Sequence, residues 1–192
     1  MNQQAMHRQL TTLRSLVQFI DYPLFKHLAK CDALNMFFAF RWLLIWFKRE
    51  YSMPDVLRLW DVCLSDARSP DYQLFVALAM LETARADVMG TCTAFDSILK
   101  LANEMSDNVP AEPVLEEAEM LFAVFENKLR AAQARVHAQA IAGGEDGVEP
   151  VVPGTFPKIG SLDLELSKSL AGLATRMPPP VPYHDSRPGT PA

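Results

Sequence analysis

Apolar side chains recur three and four positions apart along most of the first 129 residues, the spacing of helices with one buried face. The first stripe, within residues 2–20, consists of Met6, Leu10, Leu13, Val17 and Ile20, and glutamine and arginine occupy the other face. Pro23 suits the first turn of a helix. We therefore predict a long first helix, followed by a short one from Pro23 to about Cys31.

The stretch from Phe37 to Phe47 is nearly continuous in its hydrophobicity, with ten apolar side chains and one charge, Arg41. A helix that is apolar around most of its circumference belongs in the middle of a bundle. We predict one such central helix from about Asp32 to Glu50. Counted from Ala33, its apolar part is about 22 Å long, too short for a hydrocarbon layer of about 30 Å. No transmembrane segment is predicted.

Two helix start signals follow, because a serine able to cap free amide groups precedes a proline and an aspartate in both. Ser52 opens a helix predicted to reach Leu64, and Ser69 opens one predicted to stop before Gly90. Two more helices are predicted at Cys92–Met105 and from Pro113 onward. No alternating run flanked by hairpin turns is present. The predicted fold is all-α, an irregular multi-helix bundle.

The composition changes after the last apolar stripe. Residues 131–142 are rich in alanine, which favours a helix but provides little to bury, so a fraying helix is predicted there. Residues 143–192 contain most of the prolines, and this composition predicts a disordered tail with a possible short helix at 161–175. The core domain is therefore expected within residues 1–130.

Charge and composition exclude several function classes. The net charge is −5 and no basic run is present, which argues against a nucleic-acid-binding protein. Cys31, Cys63 and Cys92 are far apart and lack metal-ligand spacing, which is typical of reduced core cysteines in a cytoplasmic protein. Gly90 is the only glycine before residue 143, so no phosphate-binding glycine loop exists. No catalytic residue, cofactor or metal is predicted.

Arg41 is the main candidate site residue, because it is the one charged side chain in the apolar run and an unpaired guanidinium in a buried helix is costly. One hypothesis is a structural ion pair with an acidic residue such as Glu50 or Asp61. The other is an arginine offered to a bound phosphate or a protein partner. Trp42, Trp46 and Trp60 are predicted as core residues first and as a binding surface second.

The run FAFRWLLIWFKREYSMPDVLRLWDVCLS, followed by PDYQLFVALAMLE, resembles the C-terminal half of a TBC domain, the domain of Rab GTPase-activating proteins. The match lies in Arg41-Trp42, in Arg49-Glu50 and in Trp60-Asp61, which we take as structural motif residues. The resemblance implies a regulator of Rab-type small GTPases in vesicle traffic. The resemblance further implies that the protein is cytoplasmic, and it leaves open whether the protein associates peripherally with endomembranes.

The same resemblance implies a mechanism with two catalytic motifs, Ile-x-x-Asp-x-x-Arg and Tyr-x-Gln, and neither occurs in this sequence. We therefore expect a truncated domain that is inactive alone and exposes some of Phe37, Phe40, Trp42 and Trp46. The alternative is a non-catalytic helical module that binds a protein partner. The tail sequence FPKI at 156–159 raises the further possibility of an adaptor that binds the tail.

Overall fold

The computed structural model describes residues 3–65, 69, 71–106 and 109–142, and within them it contains helices and no strand. The predicted all-α class is confirmed. The elements are α1 (Gln3–Ile20), α2 (Tyr22–Lys30), a 3-10 turn (Phe37–Ala39), α3 (Phe40–Leu44), α4 (Met53–Leu64), α5 (Gln73–Thr83), α6 (Arg85–Thr91), α7 (Phe95–Glu104) and α8 (Ala111–Ala142). No helix in this part of the chain is both long and apolar enough to cross a membrane.

Helix α5 is the centre of the bundle. Every residue from Tyr72 to Leu81 is buried, because α8 packs along one side of α5 and α1 along another. Phe75 contributes to an aromatic cluster with Phe122 and Phe125, at ring-centroid distances of 5.0 and 5.5 Å. A helix buried on all sides needs apolar residues on all sides, and the sequence of α5 provides them.

Local signals predicted several helix starts correctly. The Ser52 hydroxyl accepts a hydrogen bond from the Asp55 amide at 3.4 Å, and α4 begins at the next residue, Met53. At α2 the Asp21 carboxylate accepts from the Leu24 amide at 3.0 Å. These caps satisfy amide groups that have no partner inside the helix. They are readable in the sequence because the partners lie three residues apart.

The predicted central helix from Asp32 to Glu50 was wrong. Only residues 37–44 are helical, as the 3-10 turn and α3, and the chain then reverses. The Phe47 amide donates to the Trp42 carbonyl at 2.8 Å, while Trp46 and Phe47 have positive φ values of 50° and 62°. A left-handed residue with this hydrogen bond ends many helices, but glycine usually occupies it. Here tryptophan does, at a cost of about 1–2 kcal/mol.

Two side chains of the reversal lie in the interior. Phe47 and Glu50 are both fully buried. The hydrophobic gain from burying one large side chain, about 1.5–3 kcal/mol, is enough to offset the left-handed backbone. Tertiary packing therefore overrides the helical preference of this stretch.

The helix predicted from Ser69 is divided in the structure. Helix α5 ends at Thr83, and a separate α6 runs through Gly90 to Thr91. A β-carbon added at Gly90 would meet no atom within 4 Å, so nothing in the packing requires glycine there. This explains why Gly90 was a poor guide to the end of the helix.

The last helix is longer than its buried stripe. Val114, Ala118, Phe122 and Phe125 face the core, and the helical backbone continues to Ala142. Residues 131–142 continue α8, and fraying of this part of the helix stays a prediction. The disordered tail predicted for 143–192 and the short helix at 161–175 lie outside the described residues.

Candidate functional site

Arg41 forms the ion pair that the sequence suggested, with Glu50 as its partner. The Arg41 Nε and Nη2 atoms each lie 2.7 Å from the Glu50 Oε1 atom. The Glu50 side chain is fully buried, whereas the Arg41 side chain is 26% exposed. A carboxylate buried to this degree requires its cation, since the desolvation cost of an ion is otherwise uncompensated.

The rest of the guanidinium reaches a distant part of the chain. Its Nη1 atom donates to the Asn103 side-chain oxygen at 2.8 Å, and Nη2 donates to the Ser106 hydroxyl at 3.1 Å. Asn103 lies in the last turn of α7, and Ser106 follows that helix. Each nitrogen of Arg41 therefore has an acceptor within the chain. This arrangement favours a structural role over an arginine offered to a phosphate.

The tryptophans of the motif pack in or against the core. Trp42 is buried and makes an edge-on contact with Phe38, at a centroid distance of 6.0 Å. The Trp60 indole N–H donates to the Trp46 carbonyl at 2.8 Å. That hydrogen bond ties α4 to the left-handed reversal. Trp60 and Trp46 are half-buried.

The remaining two motif residues are not brought into this cluster. Arg49 and Asp61 are exposed. Asp61 was one of two predicted partners for Arg41, and the structure selects the other, Glu50. Sequence reasoning missed Asn103 and Ser106, and no local pattern could have found them, because they lie 62 and 65 residues from Arg41.

A second polar cluster joins α2, α5 and α6. The Arg85 Nε atom donates to Asp21 at 2.5 Å, and Glu82 lies 3.6 Å from the same nitrogen. Burial by itself would raise the pKa of Asp21, but the bond from Arg85, the Leu24 amide and the nearby positive charges together lower it. Burial, followed by the charge of Asp21, raises the pKa of Glu82 to about 7.

The raised pKa of Glu82 predicts a pH-dependent stability. The folded state retains a proton on Glu82 up to about pH 7, whereas the unfolded chain releases it near pH 4.5. The contribution of Glu82 to the free energy of unfolding is therefore complete below about pH 4.5, and it is lost as the pH rises to about 7. Glu82→Gln should remove this loss and raise the free energy of unfolding at pH 8 by about 2 kcal/mol. Urea denaturation at pH 5 and pH 8 measures the effect.

Glu116→Gln is the matched control, because Glu116 is exposed on α8. This change should alter the free energy of unfolding neither at pH 5 nor at pH 8. Arg85 keeps its bond to Asp21 when Glu82 is replaced, so the variant does not strand a cation. Equal pH dependence in Glu82→Gln and the wild-type chain would contradict the prediction.

An apolar groove lies between the first half of α1 and the segment Phe37–Leu44, and we call it the α1–α3 groove. It has a volume of about 410 Å³ and is lined by Met6, Leu10, Phe37, Phe40 and Leu44, with Gln3 and His7 completing it. A smaller pocket of about 150 Å³ shares His7, Leu10 and Phe37 and continues to Arg14. The two pockets are neighbours along α1.

The exposure predicted for the central aromatics is correct for two of them. Phe37 is 56% exposed and Phe40 is 39% exposed, and both face the α1–α3 groove. Trp42 is buried, as its prediction as a core residue requires, and Trp46 is half-buried. Among these four central aromatics, Phe37 and Phe40 are therefore the exposed ones.

The cysteines do not form a reactive site in the described part of the chain. All three are free thiols and buried, and burial raises the pKa of Cys63 to about 12. A thiol with so high a pKa is a poor nucleophile at neutral pH. Among the described residues, no group of three or more His, Cys, Asp or Glu side chains has a geometry suited to a metal ion.

Comparisons with known proteins converge on one family. The Rab-GTPase-TBC domain family matches residues 1–89. The chain is 40% identical over 161 residues to GTPase-activating protein gyp7 of Schizosaccharomyces pombe, covering 84% of this chain and 22% of that protein. It is 36% identical over 182 residues to TBC1 domain family member 17 of Mus musculus, covering 94% of this chain and 26% of that protein.

A third relative gives the same picture. GTPase-activating protein GYP7 of Saccharomyces cerevisiae is 38% identical over 128 residues, which cover 67% of this chain and 17% of that protein. The chain therefore spans about a quarter or less of the length of these relatives. Every motif residue, from Arg41 to Asp61, lies within the part of the chain that the family matches.

Proposed function

Since the chain belongs, through residues 1–89, to the Rab-GTPase-TBC domain family, we propose that it acts as part of a GTPase-activating regulator of Rab-type small GTPases. The family match is the observation that carries the proposal. The relatives named as GTPase-activating proteins support it, because their similarity extends over most of this chain.

We propose that the described residues supply a framework rather than reacting groups. The Arg41 guanidinium is occupied by Glu50, Asn103 and Ser106, and so it is not available for a transferring phosphoryl group. Trp42 and Trp60 hold the surrounding helices together. A regulator of this kind speeds hydrolysis by a GTPase and is not itself a hydrolase.

We expect that this chain alone does not accelerate GTP hydrolysis. An arginine supplied in trans to a GTPase is worth about 10³–10⁵ in rate, and the sequence contains neither Ile-x-x-Asp-x-x-Arg nor Tyr-x-Gln. Single-turnover hydrolysis by a panel of Rab proteins should run at the intrinsic rate in the presence of this chain. Stimulation by the chain alone would contradict the expectation.

A fusion provides the positive arm of the same assay. The first half of a TBC domain from a family member, carrying both motifs, is joined to this chain ahead of α1. Acceleration of at least about 10³-fold by the fusion is expected if the chain is a GTPase-activating scaffold. A folded fusion that binds a Rab protein without accelerating hydrolysis would argue against the proposal.

The second candidate is a non-catalytic helical module that binds a protein partner. It is favoured by the α1–α3 groove, since large exposed apolar side chains often mark interaction surfaces. Phe37 and Phe40 are the residues concerned. The fusion experiment separates the two candidates, because a binding module does not gain activation when the two motifs are supplied.

The proposed partner is thus a Rab-type GTPase, and the proposed location is the cytoplasm, at or near endomembranes. The family resemblance supports both. An adaptor that binds the FPKI sequence of the tail stays a prediction, since those residues lie outside the described part of the chain.

A further inference from the structure

We draw no further inference here: the strongest candidate, the surface patch of exposed apolar side chains that Met53, Leu57 and Leu64 form along α4, carries nothing because nothing in the structure shows what covers it.

Discussion

Arg41→Ala is expected to lower the free energy of unfolding by about 3–5 kcal/mol, since it leaves a buried carboxylate without its cation. Glu50 is fully buried, and its Oε1 atom receives both contacts from Arg41. The variant also leaves Asn103 and Ser106 without this donor, which loosens the end of α7. Urea denaturation monitored by circular dichroism measures the loss.

Arg58→Ala is the control for this prediction. Arg58 forms an ion pair with Glu112 at 2.8 Å, but both side chains are more than half exposed. Exposed pairs contribute about 0–1 kcal/mol, so Arg58→Ala should have a small effect. The double variant Arg41→Met, Glu50→Gln removes the two charges together and should recover part of the lost stability. Equal losses in Arg41→Ala and Arg58→Ala would show that the Glu50 pair is not a buried one.

Phe75→Ala is expected to destabilise the bundle by about 3–5 kcal/mol, because it opens a cavity where α5 meets α8. The Phe75 ring is fully buried, and edge-on contacts with Phe122 and Phe125 surround it. Such aromatic contacts add about 0.5–1.5 kcal/mol to the area that is buried. Loss of that size is a large fraction of the 5–15 kcal/mol that stabilises an ordinary domain.

The variants Phe75→Leu and Phe37→Ala calibrate the result by urea denaturation. Leucine fills most of the space and should cost less than alanine at the same position. Phe37 is 56% exposed, so its replacement by alanine should change stability little. A Phe75→Ala chain as stable as Phe37→Ala would mean that α5 and α8 do not pack as described.

Helix starts and buried faces were predictable because their causes are local. Ser52 and the amide of Asp55 are three residues apart, and the stripe of α1 repeats every three or four residues. The ion pair of Arg41 with Glu50 was also predictable in outline. An arginine within a nearly continuous apolar run needs an anion, and few acidic residues are near in sequence.

The break after Leu44 could not be predicted in the same way. No glycine or proline lies between Phe37 and Glu50, and Trp46 and Phe47 nevertheless adopt positive φ. The folded chain buries Phe47 and Glu50 completely, and the hydrophobic gain from burying Phe47 offsets the left-handed backbone. Local propensity favours a longer helix, and the packing energy outweighs it.

The amino-acid sequence by itself determined the helical class, the start of α2 near Pro23, the cap of α4, the buried stripes of α1 and α8, and the family motif around Arg41. Each depends on residues within a few positions of one another. Only the tertiary structure decided that Glu50 rather than Asp61 pairs with Arg41, that Asn103 and Ser106 complete the cluster, and that Phe37 and Phe40 border an open groove. The contacts with Asn103 and Ser106 join residues far apart in sequence, and the energies of all these contacts exist only after the helices have packed.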